Sequence, residues 1–273
     1  MPATDKKHTY IPSDILLSAF DFSENPLIHS NGKRLAIFLD YDGTLTPIVD
    51  DPAQAVLKEN MRQVVEEIST SCILGIISGR DRADVENKVN IPSLIYAGSH
   101  GYDISGPGLI FCHEKGVECL PSLNEAELEL KETFGLEEKV CVERKKFALA
   151  VHYRYLPKEQ IEKVLATVNK VLLKHSCLKA GPGKMIIELR PNYEWDKGKA
   201  LWWLLEQIAN PQEVHPVYIG DDMTDEDAFK AIKGKGTGIL VGQHGNISAA
   251  TYTLKDTEEV YLFLKQLAHT ICP

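Results

Sequence analysis

Leu35-Ala-Ile-Phe-Leu-Asp-Tyr-Asp-Gly-Thr-Leu-Thr-Pro-Ile48 is the stretch on which the predicted fold depends. Five apolar residues run without interruption into Asp40 and Asp42, and Gly43 then ends the run. Such a run predicts a strand buried on both faces, as in a parallel sheet covered by helices. Open α/β sheets bind ligands beyond the carboxyl ends of their strands, so the two aspartates mark a candidate site.

The two aspartates are expected to point in the same direction, because side chains alternate along a strand and they lie two residues apart. Like charges repel, and a hard divalent cation is the simplest compensation. A plain turn is the commonest interpretation of Asp-x-Asp-Gly in isolation. A calcium loop between two helices is disfavoured, because Leu45 stands where that loop needs glycine and Asp51 where it needs its closing glutamate.

The composition is that of an ordinary globular protein of 273 residues, 44% hydrophobic and 25% charged, with a net charge of −9. Basic residues are spread along the chain, so no nucleic-acid surface is predicted. No apolar run reaches about 18 residues and no apolar signal core is present, so neither a membrane span nor a signal peptide is predicted. The six scattered cysteines contain no C-x-x-C pair. We therefore expect a cytoplasmic protein with reduced cysteines.

Strands and helices alternate on both sides of a central insert, which predicts an α/β fold with a Rossmann-like parallel sheet and right-handed connections. Besides the first strand, the predicted strands of this sheet are 72–77, 94–97, 217–219 and 238–241. The helices predicted around it are 52–69, 81–89, 196–208, 228–232 and 258–269.

The insert has a different pattern. Residues 147–154 alternate between apolar and polar side chains, which predicts a half-exposed, antiparallel sheet. Helices are predicted at 122–136 and 157–175, and Gly181-Pro-Gly183 is predicted to be a turn. The predicted domains are an N-terminal leader (1–33), a core (34–103 and 193–273) and an inserted α/β cap domain (104–192).

Polar residues follow four strands of the predicted core. They are Asp40, Asp42, Ser78, Gly98 to His100, Asp221, Asp222 and Asp225. Strand ends of a parallel sheet share one edge, so these groups can meet there, together with Lys197 from a helix start. Carboxylates are ligands for Mg²⁺, and a hydroxyl at a helix N-terminus suits a phosphate. The pattern therefore indicates a metal-and-phosphate site.

Asp40-x-Asp42-Gly-Thr, Ser78 after its strand, Lys197-Gly and Gly220-Asp-Asp-x-x-Asp225 resemble the four motifs of the haloacid dehalogenase superfamily. Longer stretches are similar to trehalose-6-phosphate phosphatases, and the resemblance extends over residues 34–265. These stretches are Asp40-Tyr-Asp-Gly-Thr-Leu-Thr-Pro-Ile48, Ile77-Ser-Gly-Arg80, Ala97-Gly-Ser-His-Gly-Tyr102, Val142-Glu-Arg-Lys145, His152-Tyr-Arg154, Glu188-Leu-Arg-Pro191, Trp195-Asp-Lys-Gly-Lys-Ala200 and Gly220-Asp-Asp-Met-Thr-Asp-Glu-Asp-Ala-Phe229.

The resemblance implies Mg²⁺-dependent hydrolysis of trehalose 6-phosphate to trehalose and phosphate, in trehalose biosynthesis. Asp40 would be the nucleophile, Asp42 the acid and base, and Ser78 and Lys197 would bind the phosphoryl oxygens. The implied metal ligands are Asp40, the main-chain carbonyl of Asp42 and Asp221, with Asp222 or Asp225 acting through water. Lys199 is a nearby alternative to Lys197, but the family's lysine directly precedes glycine. Helix caps remain alternative roles for Ser78, Asp222 and Asp225.

A sugar with many hydroxyls calls for charged and hydrogen-bonding groups in a fixed array. The implied substrate contacts are Gly79, Arg80, His100 and Gly101 in the core, and Glu143, Lys145, Arg154, Lys184 and Glu188 in the cap. Glu143 and Lys145 are two residues apart and so share a strand face. The role of His152 is open, because its face relative to Glu143 depends on the absence of a bulge.

Other functions compete with this one. A different sugar phosphatase or a phosphomutase would use the same core, and a mutase would transfer phosphate rather than release it. A non-enzymatic sugar-phosphate sensor would tolerate Asp40→Asn. The resemblance also admits association with a trehalose-6-phosphate synthase.

Overall fold

The computed structural model describes residues 11–24, 30–135, 137, 139–183, 185–245 and 247–272. The described residues form two compact units, one made of those up to Leu109 and from Asp196 onward, the other of those in Ile110–Trp195. Most of the predicted insert falls in the second unit, and the predicted domain boundaries stay a prediction. None of the helices in the described part of the chain has the length and hydropathy needed to cross a membrane.

Fifteen strands and nine helices are present in the described ranges. In chain order they are β1 (Ile11–Pro12), β2 (Leu17–Ser18), α1 (Ala19–Glu24), β3 (Arg34–Leu39), α2 (Glu59–Ser69), β4 (Ile73–Ile77), α3 (Arg82–Val89), β5 (Ile95–Gly98), β6 (Asp103–Gly106), β7 (Leu109–Cys112), α4 (Glu114–Glu118), α5 (Leu120–Phe134), β8 (Cys141–Lys145), β9 (Ala148–His152), α6 (Lys158–Lys174), β10 (Leu178–Gly183), β11 (Ile186–Pro191), α7 (Lys197–Ile208), β12 (Val214–Gly220), α8 (Asp225–Ile232), β13 (Thr237–Val241), β14 (Ile247–Ser248), β15 (Tyr252–Leu254) and α9 (Thr257–Ile271).

The large sheet has the strand order β2-β15-β13-β12-β3-β4-β5-β6-β7, and the boundary between the two units falls within β7. Neighbouring strands from β2 to β5 are parallel, and β6 pairs antiparallel with β5. Leu39 pairs with Ile219 in β12 and with Ile76 in β4. The residues that follow these three strands therefore emerge at one edge, and the predicted α/β fold is confirmed.

Strand β3 is buried on both faces, as its apolar run predicts. Leu35, Ile37 and Leu39 belong to a core cluster that also contains residues of helices α2 and α9. Phe38 points to the opposite face and is fully buried. Gly75 of β4 leaves room for the Phe38 ring, since a Cβ at that position would lie 3.0 Å from it.

Two details of the core differ from the sequence prediction. Four further strands, β2, β6, β7 and β15, join the five predicted ones in this sheet, and each of them has only two to four residues. The helix predicted from Pro52 begins only at Glu59, and Pro52–Gln54 forms a separate 3₁₀ turn. The side chain of Asp51 caps the N-terminus of this turn by accepting a hydrogen bond from the Ala53 amide.

The second unit contains an antiparallel sheet with the order β10-β11-β9-β8. One face of the sheet packs on α5 and α6, through residues such as Leu149, Val151 and Leu189. The prediction of a turn at Gly181-Pro-Gly183 is wrong, because these residues continue β10 and pair with β11. Pro182 is tolerated there because β10 is an edge strand, where one amide need not donate to a neighbour.

Candidate active site

Asp40, Lys197 and Asp225 form a buried charge cluster beyond the carboxyl ends of β3 and β12. The Lys197 ammonium donates to Asp40 Oδ1 at 2.9 Å and to Asp225 Oδ1 at 2.7 Å. All three residues are at most 5% exposed. Lys199 lies outside this cluster, with a side chain that is 45% exposed and 3.9 Å from Asp196. The lysine preceding glycine is therefore the one that meets the aspartates.

Each carboxylate oxygen of Asp225 accepts two hydrogen bonds from other groups of the protein. Oδ1 accepts from Lys197 and from the Tyr218 hydroxyl, at 2.7 and 2.6 Å. Oδ2 accepts from the backbone amides of Asp221 and Asp222, both at 3.0 Å. Asp225 thus fixes the loop after β12 and orients the lysine, which suits a supporting role better than that of a helix cap.

The carboxyl groups of this cluster have raised pKa values. Burial is the main cause for Asp40, whose pKa lies well above its usual range although Lys197 opposes the shift. Burial, followed by the charges of Asp225 and Asp222, raises the pKa of Asp221 to about 7. Burial disfavours the charged form of Lys197, but the Asp225 and Asp40 carboxylates outweigh it and raise its pKa. The cluster carries more negative charge than one lysine can neutralise.

The residues present fit a hard divalent cation. One carboxylate oxygen from each of Asp40, Asp221 and Asp225 lies within 4.8 Å of the others. Asp221 Oδ1 is buried and, among the described residues, accepts no hydrogen bond, which is costly for a carboxylate without a cation. Carboxylate oxygens are the ligands that Mg²⁺ and Ca²⁺ take. The carbonyl ligand predicted for Asp42 stays a prediction.

Gly43 allows the loop after β3 to approach Asp221. Its φ of +83° is in the left-handed region, where glycine carries no steric penalty. A Cβ at this position would overlap the Asp221 carboxylate. The Asp-x-Asp-Gly motif therefore needs glycine at this position for two reasons, the positive φ of the turn and the close packing against Asp221.

The carboxylates of Asp40 and Asp42 have different partners, although they lie two residues apart. Both Asp42 oxygens accept from Arg80, Oδ2 from Nε and Oδ1 from Nη2, each at 2.7 Å. Strand β3 ends at Leu39, and a tight loop follows in which Gly43 N donates to Thr46 O. Arg80, predicted to contact substrate, thus binds the second aspartate of the motif.

Ser78, Gly79, His100 and Gly101 lie together at the ends of β4 and β5. Ser78 is 1% exposed, and its Oγ accepts from the Arg80 amide at 3.1 Å, so its hydroxyl shapes the turn. The His100 amide donates to Ser78 O at 2.9 Å. A Cβ on Gly79 would lie 2.9 Å from the His100 ring. His100 has a φ of +56°, an unusual conformation for a residue with a side chain and one that concentrates at functional sites.

Asp222 has a local role in the loop after β12. Its Oδ1 accepts from both the amide and the hydroxyl of Thr224, each at 2.7 Å. Burial opposes ionisation, but the charge of Lys197 and the bonds from Thr224 together lower the pKa of Asp222. Of the two residues predicted to act through water, Asp222 is therefore tied to the loop and Asp225 to the lysine.

The second unit has charged pairs on the sheet face opposite its core. The register places Glu143 opposite Ala150 and Glu188 opposite Gly181, which puts both glutamates on this face. Lys145 donates to Glu188 Oε1 at 2.9 Å. Arg154 lies exposed in the turn after β9. Lys184 lies outside the described residues.

His152 belongs to the same face and lies 2.8 Å from Glu143, through Nε2 and Oε2. Strands β8 and β9 are joined by the two-residue loop Lys146–Phe147, so Cys141 pairs with His152. In a hairpin with a two-residue loop, residues on the two strands share a face of the sheet when their residue numbers differ by an odd number. Alternation along one strand does not determine the sheet face of His152. The length of the hairpin loop does, and it could have been read from the sequence. Tyr218 was also missed, although a buried tyrosine hydroxyl in an apolar strand needs a partner.

The fold matches that of solved hydrolases. A haloacid dehalogenase-like hydrolase from Bacteroides thetaiotaomicron has a TM-score of 0.61 over 86% of this chain and 98% of its own, at 17% identity. At that identity the match shows the fold alone.

The family model for trehalose-phosphatase matches residues 38–259, and the chain belongs to this family of phosphatases. Probable trehalose-phosphate phosphatase D of Arabidopsis thaliana is 41% identical, over 92% of this chain and 71% of the relative. Trehalose 6-phosphate phosphatase RA3 of Zea mays is 40% identical, over 92% of this chain and 74% of the relative. The C-terminal domain of C. albicans trehalose-6-phosphate phosphatase has a TM-score of 0.77 at 25% identity, over 93% of this chain and 98% of that domain.

Proposed function

We propose that this phosphatase hydrolyses trehalose 6-phosphate to trehalose and phosphate, with Asp40 as a nucleophile and Mg²⁺ as the cofactor. The observation that carries the proposal is the buried Asp40–Lys197–Asp225 cluster, with an Asp221 oxygen left without a hydrogen-bond donor. Membership of the trehalose-phosphatase family supports the sugar assignment.

Asp40 is the proposed nucleophile because its carboxylate is held by the lysine at the carboxyl end of the central strand. Its attack on phosphorus, with departure of the sugar oxygen, gives an aspartyl phosphate. Lys197 keeps the Asp40 carboxylate oriented and places a positive charge where negative charge develops on the phosphoryl oxygens. When bound by Asp40 and Asp221, Mg²⁺ would supply further neutralisation of that charge.

Asp42 is the proposed acid and base. It gives its proton to the sugar oxygen as the phosphorus–oxygen bond breaks, and later takes a proton from the water that cleaves the aspartyl phosphate. Ser78 is the proposed hydroxyl contact to the phosphoryl group, supported by its position beside the Asp42–Arg80 pair. Gly79, Arg80, His100 and Gly101 are the proposed substrate contacts in the core.

The polar face of the second unit is the proposed sugar-binding surface. It offers two carboxylates, an ammonium and an imidazole in fixed hydrogen-bonded pairs, which suits a disaccharide with many hydroxyl groups. Glu143, Lys145 and Glu188 are the proposed contacts, with His152 as an addition. Arg154 and Lys184 remain proposals from the sequence, as does association with a trehalose-6-phosphate synthase.

Phosphate release from a panel of sugar phosphates tests this function. With Mg²⁺, we expect release from trehalose 6-phosphate together with free trehalose, and loss of activity on chelation. Asp40→Asn controls for contaminating phosphatases. Activity on sucrose 6-phosphate or hexose phosphates without activity on trehalose 6-phosphate would contradict the substrate assignment.

A further inference from the structure

A cavity opens in the first unit at the amino-terminal end of the large sheet. Its volume of about 990 Å³ lies at the upper end of the range for small-molecule pockets, about 300–1,000 Å³. His215 near the start of β12, Thr237 at the start of β13 and Trp202 of α7 are among the residues that line it. A strand rises about 3.3 Å per residue, so Asp221, beyond the far end of β12, lies about 20 Å from His215. The cavity is therefore separate from the candidate active site.

The wall of the cavity combines apolar surface with fixed polar groups. Leu205 is fully buried, and Thr237 and Tyr252 are 5% and 8% exposed. His215 Nε2 and Thr237 Oγ1 lie 2.8 Å apart, so a hydrogen bond holds both side chains in place. The half-buried Trp202 adds an aromatic ring. A lining of this kind suits a ligand that has both a ring and hydroxyl groups.

The charge of the lining is positive. Lys33 directly precedes β3 and Lys235 lies two residues before β13, and these two strands are the neighbours of β12 on its two sides. The Lys235 ammonium lies 4.2 Å from the centroid of the Trp202 ring, a cation–π contact that orients the lysine. None of the described residues that line the cavity is aspartate or glutamate, although the chain has a net charge of −9. Local positive charge in an acidic protein indicates an anionic ligand.

We propose that this cavity is a second small-molecule site, which binds a phosphate ester of a hydroxylated ring compound, either a hexose phosphate or a nucleoside monophosphate. Lys33 and Lys235 bind the phosphate oxygens through charge-assisted hydrogen bonds. The Trp202 ring packs against the ring of the ligand, and the His215–Thr237 pair binds its hydroxyl groups. The site is independent of the proposed phosphatase reaction.

The indole N–H signals in NMR spectra test this site, because the chain has three tryptophans and Trp202 lines the cavity. Glucose 6-phosphate and AMP are titrated separately into the Asp40→Asn variant without Mg²⁺, so that neither ester is hydrolysed, and Trp202→Phe assigns the signal. We expect a saturable shift of the Trp202 signal with at least one ester, and the tighter ligand identifies the ring. Replacing Lys33 and Lys235 together with glutamine should raise Kd at least about tenfold, because charge-assisted hydrogen bonds are lost.

The controls separate the outcomes. Lys265→Gln removes an exposed lysine on α9 and should leave Kd unchanged. Arginine at both cavity positions keeps the charge and should retain the shift. Absence of a Trp202 shift with both esters, or an unchanged Kd in the glutamine double variant, would overturn the proposal. Equal affinity for inorganic phosphate, glucose or adenosine would also overturn it. The readout does not depend on hydrolysis, so a failure of the proposed function leaves this test intact.

Discussion

Single residues in the acidic cluster are placed for chemistry at a cost in stability. Asp40, Asp221 and Asp225 bring three carboxyl groups together against the single ammonium of Lys197. Burial, followed by repulsion between the carboxylates, raises the pKa values of all three aspartates and opposes folding of the metal-free protein. Functional sites commonly trade stability in this way.

Asp40→Asn removes one of these charges together with the nucleophile. We expect hydrolysis to fall by more than about a thousandfold. The melting temperature without Mg²⁺ should equal or exceed that of wild type, because repulsion within the cluster decreases. Calorimetry with and without Mg²⁺ should show a smaller metal-induced rise in melting temperature than in wild type. A variant that retains activity would remove Asp40 from the mechanism.

Alanine variants of Lys197 and Lys199 form a matched test and control for the proposed role of the buried lysine. Lys197→Ala leaves the buried Asp40 and Asp225 carboxylates without their shared cation, and we expect kcat to fall by at least about a hundredfold. Lys199→Ala removes an exposed lysine and should stay within about twofold of wild type. Steady-state kinetics on both variants measure this, and similar losses in the two would contradict the assignment.

At the scale of secondary-structure elements, the sequence predicted best where one physical signal dominates. The apolar run of β3 correctly predicted the central strand, and the Asp-x-Asp-Gly turn after it predicted where the candidate site lies. The sequence failed at β10, because Gly-Pro-Gly indicates a turn locally while pairing with β11 holds it extended. It also missed β2 and β15, whose few residues carry no periodic pattern. The partners of Tyr218 and Arg80 depend on tertiary contacts that no local pattern encodes.

The β8–β9 hairpin and β11 carry the proposed sugar contacts, and their charged pairs can be tested as pairs. We expect Lys145→Ala and Glu188→Ala each to raise KM for trehalose 6-phosphate by about three- to thirtyfold, with smaller effects on kcat. The double variant should lose less than the product of the two, since the residues share a hydrogen bond. Lys174→Ala, on α6 and paired with Glu129, is the control. Unchanged KM values would remove this face from substrate binding.

Helix α8 is tied to β14 and to the residues on either side of it through Glu226. The Glu226 carboxylate accepts from Ser248 Oγ at 2.5 Å and from the Ala249 amide at 2.9 Å. His244 Nε2 lies 3.2 Å from its Oε1, and the two groups form an ion pair when the imidazole is protonated. The contact with Glu226, opposed by burial, raises the pKa of His244. This ion pair is therefore sensitive to pH.

The stabilisation from His244 should decrease as pH rises. A raised folded-state pKa gives stability that is complete below the unfolded value of about 6.5 and is lost as pH passes the folded value. We expect the melting temperature of wild type to exceed that of His244→Gln by more at pH 6 than at pH 8. His269→Gln, which removes an exposed histidine on α9, is the control. A difference in melting temperature between wild type and His244→Gln that stays constant with pH would contradict a stabilising ion pair between His244 and Glu226.

At the scale of the whole molecule, a protein with a net charge of −9 is proposed to bind an anionic substrate. Its positive charges must therefore be concentrated where the phosphate binds, and Lys197 is buried at the centre of the candidate site. The strand order places that site beside the central strand of the sheet. The proposed sugar contacts, in contrast, belong to the second unit, so under this proposal the reaction type and the substrate depend on different parts of the chain.

A competition experiment tests the central claim most directly. The protein is given equal concentrations of trehalose 6-phosphate, sucrose 6-phosphate and glucose 6-phosphate with Mg²⁺, and ³¹P NMR follows each phosphate ester. We expect trehalose 6-phosphate to disappear first, at least about tenfold faster than either competitor, because kcat/KM ratios alone set the order. Equal consumption of all three esters, or faster loss of sucrose 6-phosphate, would contradict the proposed function.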